Sequence, residues 1–225
     1  MGIGRIRIAP SILAADFTRL GDELKRIEDG GADLIHVDVM DGHFVPNLTM
    51  GPFIVEAVRR ATSLPIDAHL MITEPERYVR SFVDAGADYV VFHTEVSDDP
   101  RPLIDVIREA GAKPGLSINP PTQAERIEPW MEHIDMLLVM TVNPGFAGQS
   151  FMSDVMPKLR RIADWKRERG LDVLIEVDGG VSVTTAPTVA SNGGEVLVAG
   201  SAVFCADDPA AAVGAIRNAA EAARL

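Results

Sequence analysis

Eight short runs of Val, Ile and Leu recur along the chain, each followed by a stretch with apolar residues at helical spacing. The runs are IRIAPSIL (6–13), DLIHVDVM (33–40), PIDAHLM (65–71), DYVVFH (88–93), KPGLSI (113–118), DMLLVMTV (135–142), DVLIEVD (172–178) and EVLVAG (195–200). Between them, FTRLGDELKRIEDGG, FIVEAVRRATS, ERYVRSFVDAG and LIDVIREAG place apolar side chains three and four apart, the spacing of an amphipathic helix. Gly30, Gly86, Gly111 and Gly170 stand where such helices would take C-terminal caps. Near-continuous apolar strands alternating with helices require a parallel sheet covered by helices. Eight β/α units in 225 residues fit a closed (β/α)₈ TIM barrel better than an open doubly wound sheet. No G-x-G-x-x-G follows the first run, which weighs against a dinucleotide fold. With 47% hydrophobic and 24% charged residues and no linker or low-complexity tract, residues 1–225 read as one catalytic barrel domain.

In such a barrel the C-terminal ends of the strands and the loops after them build the active site. Polar residues near those ends are therefore informative. The first run offers Ser11, the second His36 and Asp38, the third His69 and the seventh Asp178. Strand alternation puts His36 and Asp38 on one face. Burying such groups without partners costs several kcal/mol, on the order of 2–7 kcal/mol even for a neutral polar group. Taken singly, a His at a strand end reads as a hydrogen-bonded structural residue and an Asp as a helix cap. Together, two imidazoles and two carboxylates on one rim suit a divalent cation: Zn²⁺ first, with Fe²⁺, Mn²⁺ or Co²⁺ also fitting the ligand types. His43, His93 and His133 are assigned structural roles, with His93, at the end of the fourth run, the best placed to be an exception.

Three glycine-rich stretches, NPGFAGQS (143–150), DGGVS (178–182) and AGSAVF (199–204), follow the sixth, seventh and eighth runs. Loops in this position commonly cradle phosphate, with glycines letting backbone N–H groups approach the oxygens. None of the three contains Lys or Arg, so a phosphate there would be held by backbone and by Ser201.

A formal charge of −12 argues against nucleic acid or an anionic membrane as partner. The lone Cys205 permits no internal disulfide and reads as a reduced, buried thiol. The opening MGIGRIRIAP lacks an apolar signal region, and Ile6 stands where myristoylation would need Ser or Thr. The longest charge-free stretch, between Asp135 and Asp154, is interrupted by Asn143-Pro144-Gly145 and does not read as a membrane span. A cytoplasmic homo-oligomer is the expectation.

The stretches APSILAADF (9–17), HVDVMDGHFVPN (36–47), DAHLMI (67–72), VNPGFAGQSF (142–151), EVDGGV (176–181) and VAGSAVF (198–204) closely resemble the ribulose-phosphate 3-epimerase family. The match is collinear from Ile8 to the final helix. The resemblance implies a phosphate-binding barrel of pentose-phosphate carbohydrate metabolism that interconverts D-ribulose 5-phosphate and D-xylulose 5-phosphate. It assigns His36, Asp38, His69 and Asp178 to one divalent metal ion per subunit. Asp38 and Asp178 would also be the acid–base pair, working through a metal-stabilised enediolate. Ser11 and His69 would touch substrate, and Gly145, Phe146, Ala147, Gly148, Gly179, Gly180, Gly200 and Ser201 would surround the phosphate. Met40, Met71 and Met140 would cap the reacting carbons; residue type alone makes them core filler.

Ala147 stands where many members carry Gly, and GFAG is familiar from the related allulose-6-phosphate 3-epimerases. Gly180 and the PSILAADF opening match the pentose enzymes, so the pentose substrate is the reading and the hexulose phosphate its alternative. A lyase or decarboxylase of the orotidine-phosphate type would call for a Lys at a strand end, and only Lys113, at the N-terminal edge of its run, lies in one. A non-catalytic sugar-phosphate-binding barrel is the remaining alternative, and the presence of both carboxylates counts against it.

Overall fold

The structure is a computed structural model describing residues 5–224. Residues 1–4, where the reading of the N-terminus begins, and Leu225 lie outside the described residues. Eight strands form: β1 (Arg7–Pro10), β2 (Ile35–Met40), β3 (Ile66–Met71), β4 (Tyr89–His93), β5 (Lys113–Ile118), β6 (Met136–Met140), β7 (Leu174–Asp178) and β8 (Val196–Ala199). Each lies inside one of the eight apolar runs. All pairings are parallel, in the order β1-β8-β7-β6-β5-β4-β3-β2. The two ends of that order meet at a parallel bridge between Ser11 and His36, with the Asp33 N–H donating to the Ile8 carbonyl at 2.9 Å. The sheet is thus a nearly closed (β/α)₈ barrel.

Alternation along each strand divides the core in two. Val37 and Val39 of β2, Ala68 and Leu70 of β3, Leu137 and Val139 of β6, and Ile175 and Val177 of β7 join the large cluster that packs the barrel against its helices. Their neighbours at odd steps point inward. Over most of the circumference these are apolar: Ala9, Tyr89, Val91, Met136, Leu138, Val196 and Val198 form the barrel's own filling. β2, β3 and β7 instead send polar side chains inward, His36 and Asp38, Asp67 and His69, Glu176 and Asp178. Fully burying one Ile or Leu contributes roughly 1.5–3 kcal/mol, so the apolar majority supplies the stability that lets this polar column exist.

The helices are α1 (Leu20–Asp29), α2 (Pro52–Ala61), α3 (Val79–Asp84), α4 (Arg101–Glu109), α5 (Met156–Arg169), α6 (Ala186–Ser191), α7 (Ser201–Phe204) and α8 (Pro209–Ala222). Three details differ from the expectation. The first run stops being a strand at Ser11, whose hydroxyl accepts the Leu13 N–H (3.3 Å) and opens a 3₁₀ turn at Ile12–Ala14. The fifth unit has two 3₁₀ turns, Ala124–Arg126 and Glu128–Trp130, and no α-helix, in a segment broken by Pro120, Pro121 and Pro129. Gly30 is the C-terminal cap of α1 as expected, in a right-handed conformation, with Gly31 (φ +84°) taking the left-handed one; Gly30 is small because a Cβ would lie 2.6 Å from the Ala210 backbone. Finally, Cys205 is exposed, not buried, because Val203 takes the core-facing position of α7. Among the described residues no helix is long and apolar enough to cross a membrane.

Candidate active site

The polar column ends in a cavity of about 320 Å³ at the C-terminal mouth of the barrel. Ser11, Asp38, Met40, Met71, Met140, Gly145, Phe146, Ala147, Gly148, Asp178, Gly179, Gly180, Gly200 and Ser201 all line it. His36 and His69, both fully buried, sit in the floor behind Asp38. His43 and His133 lie away from this cavity, in surface turns. Lys113 stands at the start of β5 with its amine 3.2 Å from the Tyr89 hydroxyl, and among the described residues no Lys lines the cavity.

One ligand atom from each of His36, Asp38, His69 and Asp178 lies within 4.8 Å of the other three. Strand register produces this convergence. Asp38 pairs with His69 across β2–β3, while β7 brings Asp178 in from the other side of the barrel. The Ser11 hydroxyl donates to Asp38 Oδ2 at 2.6 Å, leaving Asp38 Oδ1 3.3 Å from both His36 Nε2 and His69 Nδ1. His36 is held from behind, where its Nδ1 lies 2.6 Å from the buried Asp67 Oδ2 and donates to it. Its Nε2 has no hydrogen-bond partner. A buried imidazole nitrogen without a hydrogen-bond partner, 3.3 Å from a carboxylate oxygen, suits a shared divalent cation. This is a candidate metal site of two His and two Asp.

The electrostatics agree. Burial disfavours a charged His36, yet Asp38 and Asp67 outweigh it and hold its pKa well above the ordinary value, so the position favours positive charge. Burial is the main cause that pulls His69 down to about 4, leaving it neutral. Burial works to raise Asp38 as well, but His36 and His69 carry it well below the usual carboxylate range. Asp178 moves the other way: burial and the neighbouring Asp38 push it up to about 7. One layer deeper, burial and Asp67 hold Glu176 well above its ordinary value.

Asp67, Glu176 and Glu95 were not among the sequence candidates for this site, and His93 stood there only as the best-placed exception to a structural role. A signal existed for the first two: Asp67 precedes His69 by two residues and Glu176 precedes Asp178 by two, the spacing that singled out His36 and Asp38.

The glycine-rich loops sit on adjacent strands β6, β7 and β8. Gly179 (φ +124°) and Gly180 (φ +66°) leave no room for a side chain, since a Cβ would lie 2.7 Å from Val142 N and 2.6 Å from Phe151 N respectively. The loop after β2 closes the other flank. Asp41 accepts the N–H groups of His43 and Phe44 and both the N–H and hydroxyl of Thr73, at 2.8–2.9 Å. Partial burial works to raise its pKa, but these donors bring it down to about 2 from an ordinary 3.8. Between those values the unfolded chain binds more protons, so this contribution to stability is full above about pH 4 and is lost as pH falls toward 2. Asp41→Asn should therefore melt below the parent at pH 7, with the gap in Tm narrowing between pH 4 and pH 2. A gap that does not change with pH would show that the charge is not what matters.

The ribulose-phosphate 3 epimerase family model matches residues 7–204. The ribulose-phosphate 3-epimerase of Bacillus subtilis is 52% identical over 214 residues, 95% of this chain and 99% of that protein. That of Synechocystis is 50% identical over 216 residues, 95% and 94% of the two chains. The chloroplastic ribulose-5-phosphate-3-epimerase of Arabidopsis thaliana is 46% identical, covering 94% and 76%. Among solved structures, 3-hexulose-6-phosphate synthase from Salmonella typhimurium superposes with a TM-score of 0.71 at 20% identity, over 97% of this chain and 100% of that one. Orotidine 5'-phosphate decarboxylase from Pyrococcus horikoshii gives 0.70 at 18%, over 95% and 99%. At such identities these two share the fold alone.

Proposed function

The chain belongs to the ribulose-phosphate 3-epimerase family, and from that membership we propose that it interconverts D-ribulose 5-phosphate and D-xylulose 5-phosphate by proton transfer at C3. The observation that carries the mechanism is a pair of carboxyl groups, Asp38 and Asp178, lining one cavity with opposite affinities for a proton. Inverting C3 needs a proton taken from one face and another delivered to the opposite face. An ionised carboxylate takes the C3 proton, and the electron pair of that C–H bond shifts toward C2, giving an enediolate. A carboxylic acid on the other face then protonates C3, and the electrons return to re-form the C2 carbonyl. Asp38, held ionised, suits the base in one direction, and Asp178, near 7, suits the acid; the reverse reaction exchanges the roles.

A divalent cation held by His36, Asp38, His69 and Asp178, with Zn²⁺ favoured by the ligand set, would polarise the C2 oxygen and stabilise the charge developing there. Ser11 fixes one oxygen of Asp38, so the other is left for the chemistry. Met40, Met71 and Met140, all nearly fully buried, form an apolar wall that excludes water from the flat intermediate. Gly145 to Gly148, Gly179, Gly180, Gly200 and Ser201 would bind the phosphate, and that remote grip fixes C3 between the carboxylates. A cytoplasmic setting and assembly with further copies of the chain complete the proposal.

Incubation in D₂O with metal-loaded protein tests this directly. Ribulose 5-phosphate should gain deuterium at C3 and yield xylulose 5-phosphate. Allulose 6-phosphate, run separately, should turn over more slowly. Efficient turnover of the six-carbon sugar alone would overturn the substrate, and exchange with neither would favour a binding protein.

A further inference from the structure

His69 is not held as His36 is. His36 meets a buried carboxylate directly, whereas His69 Nε2 lies 2.9 Å from Nε2 of a second imidazole, His93. His93 Nδ1 in turn lies 3.1 Å from Glu95 Oε2. The other oxygen of Glu95 accepts the Asn119 N–H at 2.8 Å and the Thr122 hydroxyl at 2.6 Å. The chain of bonds thus crosses from β3 to β4 and out to the loop after β5. His93 is fully buried, with the Phe44 ring over it at 4.7 Å between centroids.

Hydrogen-bond chemistry gives this chain a direction. An ionised carboxylate only accepts, so His93 must carry its proton on Nδ1. Neutral His93 then has a bare Nε2, which can only accept, so His69 must donate from its Nε2. His69 is left with a bare Nδ1, the nitrogen that faces Asp38 Oδ1 at 3.3 Å. A lone pair pointed at a carboxylate is repulsive unless a cation stands between them. The links follow from two premises, the acceptor-only end at Glu95 and a neutral His93.

We propose that Glu95, acting through His93, is a positioning residue that sets the tautomer and ring orientation of His69 for holding a divalent cation. This rests on the metal reading given above. Outer-shell partners of metal-bound His commonly change affinity by about 10–100-fold when removed. Glu95 lies at the outer, partly exposed end of the chain, with 20% of its side chain open to solvent, where it can be altered without opening the core. Its carboxyl is well suited to remain ionised: burial works to raise it, but His93, Thr122 and Asn119 bring it down to about 2.

Two measurements decide the matter. In Zn²⁺-loaded wild-type protein labelled with ¹⁵N-histidine, long-range ¹H–¹⁵N correlation should find His93 protonated at Nδ1 and bare at Nε2; the opposite tautomer overturns the proposal, whatever any variant does. Glu95→Gln keeps the shape and an oxygen for Asn119 and Thr122 but turns an amide donor toward His93. Its Co²⁺ affinity, read by chelator competition, should fall by about 10–100-fold with an altered visible spectrum. Thr122→Val, which removes a partner of the other oxygen, should bind Co²⁺ within about twofold of wild type. Wild-type affinity and spectrum in Glu95→Gln, or an equal loss in Thr122→Val, would refute the role of Glu95. Failure of the wild-type protein to bind Co²⁺ or Zn²⁺ is a separate result, and it would remove the metal reading and this inference together.

Discussion

Asp178→Asn is expected to stay folded and to lose epimerisation by at least about 10²–10⁴-fold, the usual contribution of a positioned acid or base. The asparagine keeps the shape and loses the transferable proton. Turnover should fall in both directions, whereas exchange of the C3 proton on the face served by Asp38 can persist, since that step needs only the remaining carboxylate. The same substitution should report on stability with a definite sign. The native Asp178 carboxyl titrates near 7 against an ordinary 3.8, because burial and Asp38 oppose its charge. Between these values the native state binds more protons than the unfolded chain, so its stability declines as pH rises through that window. In chelator, the Tm of Asp178→Asn relative to the parent should therefore be higher at pH 8 than at pH 4.5. Near-normal turnover would remove Asp178 from the mechanism, and a Tm difference that ignores pH would show that its charge is not under strain.

The second large effect is expected on stripping divalent metal. Prolonged chelation should lower turnover by two orders of magnitude or more, as expected when Lewis-acid stabilisation worth several kcal/mol is lost. Zn²⁺, Co²⁺, Mn²⁺ and Fe²⁺ added back singly should restore it to different degrees, and the best of them would identify the working ion. His36→Ala should resist restoration by any of them, since it removes one of two neutral ligands. Full activity in a chelator-treated sample shown by elemental analysis to be free of metal would end the proposal.

The barrel was legible because each strand is a bounded apolar run between helical patterns, a signal that survives without any alignment. His36 and Asp38 stood out for the same reason, being polar where the pattern called for Val. Asp67 escaped notice because it follows Pro65 by two residues, where a carboxylate reads as the wet start of a strand. Nothing local marks it as the partner of His36; that pairing depends on β2–β3 register. Glu176 shares its run with Asp178 but lies deeper in it, and its burial follows only once β7 is placed inside a closed cylinder. Glu95 is a charged residue beyond a strand, indistinguishable in sequence from solvated surface. Its bonds reach 24 and 27 residues along the chain, to Asn119 and Thr122. The exposed Cys205 shows the same limit from the other side, since a four-residue helix is too short for its inner face to be read from periodicity.

The two-residue repeat that carries the polar column also makes the chemistry a matter of parity. In β7, Glu176 and Asp178 face the interior while Ile175 and Val177 face the helices. Adding or deleting one residue at the head of that strand would exchange the two sets. Two carboxylates would enter an oily interface and two aliphatic chains would enter the reaction chamber, so catalysis and folding would fail in one step. Changes of length in this protein should accordingly be tolerated in its surface loops and forbidden within β2, β3 and β7, where an odd count turns the enzyme inside out.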